Sequence, residues 1–484
     1  MSESRAERPA PVSGRAEPLD PVSRRAETQD PVSGRVEPQD PVSGRAEPPA
    51  PVSGRAEPPA PVSGRAEPPD QGGRAKPPAP LVLVSGAGVA GPAFAWWARR
   101  RGLRPVVVEA AAGPRDGGQS VDLRGAGRTV IARMGLEDAV RREGTGERGV
   151  LFTDATGRRR AAIPLEAFAR FGGEGPTAEL EILRGRLAGL LYEATRDTVE
   201  YRFGERIAEV EDGAGRDGRA RVRLTGGAVY EADAVVIADG IGSATRDLVF
   251  GPRDAAGRPR LHPLGLSLAY LTVERRPGDG PWAVWQNAPG GRSVVLRPDN
   301  AGTTRALLSF LGPPCLRERD PAGRRALLRE RFADVGGAAP RVLAELDSAA
   351  EFYAEDVGQV RMDTYSRGRS VLLGDAAYCP SPISGMGTSL ALVGAYVLAG
   401  ELAAHPGDHA AAFARYEVRM RPYADRAQRL PPGAPRLANP RTRTGIRLLH
   451  TAVRAATRPP LPALAARLVS PPADAITLPD YPEP

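Results

Sequence analysis

Gly86, Gly88 and Gly91 stand at GxGxxG spacing, and Glu109 follows about 20 residues later. Each type has a chemical reason to be there. A glycine at the first position permits a tight turn, one at the second lets backbone approach a pyrophosphate, and one at the third lets a helix pack closely on a strand. An acid at that distance accepts hydrogen bonds from a ribose. Two later segments also deliver an acid: Asp239, followed by Ser243 and Arg246, and Asp375, preceded by Gly374 and followed by Gly385 and Gly387.

Particular elements must position these residues. LVLV at 81–84 is a short continuous apolar run, which suits a parallel strand buried on both faces. GAGVAG follows at once, PAFAWWARRRG reads as a helix, and VVVEA reads as a second strand ending near Glu109. Strand, turn, helix and strand in this order, with the acid at the right distance, point to dinucleotide binding rather than a glycine-rich turn that serves packing alone. The motif by itself does not separate NAD from FAD. AVVIADGIGSATR at 234–246 and VLLGD at 371–375 are apolar strands with an acid at the carboxyl end, where open α/β sheets bind ligands. The Gly385/Gly387 turn opens a long apolar helix whose N-terminus stabilises negative charge.

With these three landmarks in this order, the sequence from Leu81 to Leu430 resembles the flavoprotein monooxygenases of the para-hydroxybenzoate hydroxylase type, and within them the tetracycline-degrading monooxygenases and related actinobacterial hydroxylases. The resemblance implies non-covalent FAD held by Gly86, Gly88, Gly91, Glu109, Gly374, Asp375, Gly385 and Gly387, with Asp375 on the ribityl or ribose hydroxyls. Asp239, with Arg246, is implied to serve both FAD and NADPH. GGQSVDLRGAGRTVIARMGL at 117–136 resembles the stretch in which an aspartate contacts FAD, here Asp122, and Arg115 occupies the position of an arginine that meets the nicotinamide cofactor. EILRGRLAGLL at 181–191 resembles a helix whose arginine reaches the flavin side, here Arg184. Three positions depart from the family pattern: Tyr378 stands where His is common, Ser389 where Asn is usual and Gly394 where an Asp commonly follows.

The fold expected is α/β, a Rossmann-like FAD-binding domain with an interleaved, mostly β substrate domain and C-terminal helices. Its divisions are residues 1–77 as a disordered decapeptide-repeat tail; 78–149, 177–255 and 359–404 as three parts of the FAD-binding domain; 150–176 and 256–358 as two parts of the substrate domain; and 405–484 as a C-terminal bridging helix and tail. Alternating stretches such as LSLAYLTVE and RALLSFLG fit a β-layer over the flavin ring. Tyr270, Trp282, Trp285 and Phe310 are candidates to line a substrate pocket, with plain core packing as the alternative.

Composition narrows the class. The tail repeats PVSGRAEPxx from Pro11 with one Val per copy, too little apolar surface to offset chain entropy. The formal charge of +8 is dispersed as arginine, Lys76 being the sole lysine, so no basic block points to nucleic acid. Cys315 and Cys379 lack CxxC spacing, and His262, His405, His409 and His450 lack ligand spacing, so no zinc site is expected. No run of about 18 apolar residues and no basic-apolar leader is evident, so the expected location is cytoplasmic, with no membrane partner.

The resemblance implies a single-component monooxygenase taking NADPH, dioxygen and a small organic substrate, aromatic or polycyclic, as a monomer or weak dimer. An FAD-dependent oxidase or reductase on the same fold, and a catalytically idle flavin-binding sensor or tether, are the alternatives. A flavin-dependent halogenase fits less well, because no lysine follows Lys76 and residues 282–285 read WAVW. Deleting residues 1–77 should leave flavin absorbance and turnover unchanged; loss of either would place the repeats in the working fold.

Overall fold

The computed structural model describes residues 78–115, 117–169, 180–254, 256–257, 260–457 and 472–482. The repeat tail expected over 1–77 lies outside them. Among the described residues, a six-stranded sheet has the order Ser366–Arg367, Ser370–Leu372, Ala234–Ile237, Leu81–Ser85, Arg104–Glu109, Glu200–Phe203. All its pairings are parallel except the first. Leu81–Ser85 is central, with Val84 beside Val236 on one side and Val107 on the other. Helices cover both faces of such a sheet, which is why these strands read as continuous apolar runs rather than alternating ones.

A seven-stranded, mostly antiparallel sheet forms the second layer, in the order Phe352–Val360, Leu261–Glu274, Thr303–Leu311, Arg292–Pro298, Ala283–Ala288, Gly149–Thr153, Arg159–Pro164. Its two faces differ. Leu308, Phe310 and Val294 pack under helix Pro321–Phe332 through Leu327, Leu328 and Phe332. The opposite face carries Leu266, Leu268 and Val357, against which Ile383 packs, and further along Val150 and Phe152, against which Val453 of helix Arg443–Ala456 packs. The fold is therefore the expected α/β arrangement of a nucleotide-binding layer and an interleaved β layer.

Helix Gly387–Ala404 differs from the sequence reading. Among the described residues it is one helix long and apolar enough to cross a membrane, yet 78% of it is buried inside the molecule. A helix apolar all round needs a cover on every side, and helices Ala90–Arg100, Gly125–Arg133 and His409–Gln428 provide it. In helix His409–Gln428, Asp408 provides the cap by accepting from Ala411 N at 2.9 Å, and the buried stripe includes Phe413, Tyr416, Met420 and Tyr423.

Two departures from the family pattern explain each other here. A Cβ on Gly394 would lie 2.1 Å from the Tyr378 hydroxyl, which is hydrogen-bonded to Tyr416 Oη at 2.9 Å. The larger ring at 378 occupies the room that a side chain at 394 would need. Ser389, in turn, donates to Arg124 O at 3.1 Å and accepts from Arg124 N at 3.2 Å, fastening the long helix to the 120–124 segment. Replacing Gly394 by Ala should cost about 1–3 kcal/mol by overpacking, read as a lower thermal midpoint. Tyr378→Phe in the same chain should recover part of that loss; equal melting of Gly394→Ala and wild type would refute the pairing.

Candidate flavin site between two layers

At the end of the central strand, Gly86 has φ +104°, and a Cβ there would come within 2.6 Å of Ala238 O. A Cβ on Gly91 would come within 1.9 Å of Gly86 O. Both positions exclude any other residue, for reasons of backbone conformation and contact respectively. Helix Ala90–Arg100 then starts with no side-chain cap, leaving its first amides for an anion. Glu109 holds the turn from beneath: Oε2 accepts from Ala87 N at 2.8 Å, and Oε1 from Ala111 N at 2.9 Å. Arg115 pairs with the same carboxylate at 3.2 Å while its side chain stays 78% exposed.

The second strand end behaves otherwise. Asp239 braces the start of helix Ala244–Phe250, accepting from the hydroxyl of the cap residue Ser243 and, at 3.1 Å, from Thr245 N. Arg246 is buried and donates to Ile241 O at 3.0 Å and Ala376 O at 3.3 Å, tying the second strand end to the third. Both side chains are thus committed to holding loops in place, a commitment their spacing did not reveal.

At the third strand end Gly374, with φ +65°, brings its turn onto the first: a Cβ on it would lie 3.1 Å from Ala90 Cβ. Asp375 follows, and a Cβ on Gly387 would be 3.6 Å from its Oδ1. Arg184 opens helix Arg184–Glu193 and passes Gly118, so that its Nη2 lies 3.8 Å from where a Cβ on Gly88 would be. Burial pushes the Asp375 carboxyl up, and the nearby Arg184 guanidinium pulls it back. Gly385, with φ +63°, faces Asp122 Oδ2 and Arg124 Nε, each 3.8 Å from a Cβ built there. Gly86, Gly88, Gly91, Arg184, Asp375 and Gly387 therefore border one recess, with Asp122 and Gly385 at its far end and Glu109 beneath its floor.

Across the recess stands the β layer, and here the sequence was less informative. Tyr270 and Tyr353 stack with ring centroids 6.3 Å apart, and the Tyr353 hydroxyl donates to Glu355 Oε2 at 2.9 Å. Tyr353 is 49% exposed, and burial and the Glu355 charge push its hydroxyl pKa up. Burial also raises Glu355; the Tyr353 hydrogen bond opposes this, the charge of Asp375 adds to it and Arg184 lowers it. Glu355 and Tyr353 thus sense Asp375 and Arg184 from the opposite wall. Of the other aromatic candidates, Phe310 lies on the far face, 6.5 Å from Phe332, and Trp285 stacks on Phe152 at 5.6 Å within an apolar cluster. Trp282 packs by Gly149.

The loop that closes the recess carries strain. Ser381, between Pro380 and Pro382, is 3% exposed with φ +81° and ψ 156°, a region that costs a non-glycine residue about 1–3 kcal/mol. Gln359 Nε2 holds this loop at Pro380 O, 3.1 Å away, and adjoins a cleft of about 720 Å3 lined by Leu264, Leu311, Gln428, Pro431 and Arg441. That volume falls within the range of about 300–1,000 Å3 usual for small-molecule sites. No residue-type pattern announces Ser381, Tyr353 or Glu355; only the pairing of the strands brings them here.

Comparison with known proteins agrees with this geometry. The model of an FAD binding domain family matches residues 81–429. An uncharacterized protein of Mycobacterium tuberculosis is 38% identical over 365 residues, 73% of this chain and 94% of that protein. A flavin-dependent monooxygenase of Legionella longbeachae is 35% identical over 350 residues, 72% of this chain and 87% of its own length. The crystal structure of tetracycline destructase Tet(55) superimposes with a TM-score of 0.68 at 29% identity, covering 84% of this chain and all of that one. The chain belongs to the FAD-dependent monooxygenases of the para-hydroxybenzoate hydroxylase type. Glycine-only contacts at Gly86 and Gly91, uncapped amides and an acid at the third strand end make a cradle that fits FAD.

Glu109→Ala should leave Ala87 N–H and Ala111 N–H without their acceptor, at about 1–3 kcal/mol. The expected result is a fall of about 2–4 °C in thermal midpoint together with loss of yellow cofactor on desalting; full flavin retention would contradict the role given to this carboxylate.

Proposed function

We propose that the chain uses NADPH and dioxygen to insert one oxygen atom into an aromatic or polycyclic organic substrate. The observation that carries this reading is the meeting of Arg184 and Asp375, on the nucleotide layer, with Tyr270, Tyr353 and Glu355, on the β layer, across one recess. In it Gly86, Gly88 and Gly91 receive the pyrophosphate with the amides of helix Ala90–Arg100, Glu109 and Asp375 take hydroxyls of the ribose and ribityl parts, and Asp122, Arg184, Gly385 and Gly387 border the ring. Asp239 acts by shaping its loop, and Arg115 sits at the exposed edge, where a nicotinamide cofactor enters. FAD, when bound, supplies the redox chemistry, taking a hydride and handing electrons to dioxygen.

The remaining tasks fall to the polypeptide. Tyr270 and Tyr353 offer a flat aromatic surface for a planar substrate, and the Tyr353–Glu355 pair offers a hydroxyl and a carboxyl for its polar edge. The strained Ser381 loop, packed through Ile383 on Leu266 and Leu268, keeps water from the reacting atoms. A tetracycline destructase among the structural relatives supports a polycyclic, oxygen-rich substrate class.

The test is oxygen transfer from labelled dioxygen. With NADPH and a panel of polyketide-like phenols, at least one compound should accelerate NADPH oxidation and acquire one labelled oxygen. Products labelled only from water, or ligand-independent hydrogen peroxide as the sole product, would refute the reading.

A further inference from the structure

Beside the recess is an acidic cluster of which the cofactor reading uses only Asp122, leaving Glu147 and Glu181 without a role. Ser120–Leu123 and Leu180–Leu183 form a two-stranded ribbon in which Asp122 is the direct partner of Glu181. Like charges placed opposite each other repel. A third acid, Glu147, arrives from the segment entering the large sheet. Arg297, from strand Arg292–Pro298, meets both glutamates: Nε lies 2.8 Å from Glu147 Oε2 and Nη2 lies 2.8 Å from Glu181 Oε1. The side chains of Glu147 and Glu181 are only 2% and 5% exposed. Arg124 takes Asp122 at 2.7 Å.

Two buried carboxylates, Glu147 and Glu181, therefore share the one guanidinium of Arg297, with Asp122 opposite Glu181. Glu147 Oε1, beside this shared guanidinium, is buried without a hydrogen-bond partner. A proton removes the excess charge and turns an acceptor into a donor, so the cluster is built to hold one. Glu181 is the better holder of that proton: burial, joined by the charges of Glu147 and Asp122, pushes its carboxyl up to about 7 against the pull of Arg297. Arg297 itself stays charged, because Glu181 and Glu147 outweigh the effect of burial. The cluster also borders the recess, since a Cβ built on Gly385 would lie 3.8 Å from Asp122 Oδ2.

We propose that Glu181 is the proton-holding residue of the oxygenation site, acting through Asp122, with Arg297 and Glu147 stabilising the carboxylate left behind. This rests on the monooxygenase reading, in which NADPH, dioxygen, substrate and one proton give NADP+, oxygenated substrate and water. The proton must reach an enclosed site. Breaking the Glu181 O–H bond supplies it to the oxygen that leaves as water, and solvent restores it once per turnover. Glu181 is thus a positioning residue for a proton, not a group that touches substrate.

Infrared titration of the full FAD-loaded chain tests this. A protonated carboxyl band should disappear as pH rises through neutrality in wild type, be missing in Glu181→Gln, and titrate about one pH unit lower in Glu147→Gln, where one raising charge is gone. Since the folded-state value exceeds the ordinary carboxyl value, wild type should lose stability relative to Glu181→Gln between about pH 5 and 8. NADPH oxidation should fall in wild type as pH rises through neutrality. In Glu181→Gln it should be about tenfold or more lower at pH 6 and flat with pH. A carboxyl band that survives in Glu181→Gln, or an unchanged pH profile, would overturn the proposal, and should that variant fail to fold, the direction of the Glu147→Gln titration decides. A titrating Glu181 band without substrate-dependent NADPH oxidation would instead overturn the monooxygenase reading, so the two failures are distinct.

Discussion

Backbone meets backbone at the carboxyl ends of three parallel strands, and the rest of the site depends on that closeness. Gly91 abuts the carbonyl of Gly86, Gly86 abuts that of Ala238, and Gly374 abuts Ala90, each with no space for a larger residue or too little to take one without a shift. Because three turns close on one another in this way, Gly88, Arg184 and Asp375 come to one recess although nearly 300 residues of chain separate the first from the last. Arg246, donating to Ile241 O and Ala376 O, locks two of the turns together.

The second layer is held to the first by charge as well as by apolar packing. Glu351 accepts from Gly118 N at 3.2 Å and from Arg305 Nη1 at 2.5 Å, joining the segment beside Arg184 to strand Thr303–Leu311. Arg297 makes a similar junction to Glu181 of the ribbon. A buried ion pair such as Arg297–Glu181 adds little net stability, since desolvation offsets much of the attraction, but breaking one partner is costly. Their consequence is register: the face with Tyr270, Tyr353 and Glu355 is held opposite Asp375, while the face with Phe310 is sealed under helix Pro321–Phe332.

Departures from a family pattern acquire meaning in this setting. Tyr378 and Gly394 exchange volume across one contact, and Ser389 exchanges hydrogen bonds with the backbone of Arg124, so the long helix keeps its seat with a different set of side chains. That seat matters because the helix begins at Gly387, beside Asp375.

Local rules sufficed for much of this. Glycine spacing, apolar runs and the acids that end them made the nucleotide layer legible, because turn conformation and strand burial are properties of a few consecutive residues. They also marked Gly86, Gly91, Glu109 and Asp375 as residues with chemical reasons for their type. What they did not disclose was decided by contacts between distant parts of the chain: which face of the large sheet Tyr270 and Phe310 occupy, that Asp239 spends its carboxylate on the first turn of a helix, that Ser381 sits strained in a buried loop, and that Glu147 and Glu181 share Arg297. Burial and charge neighbours are set by parts of the chain hundreds of residues apart, so only the tertiary structure determines which carboxyl is ionised and which keeps its proton.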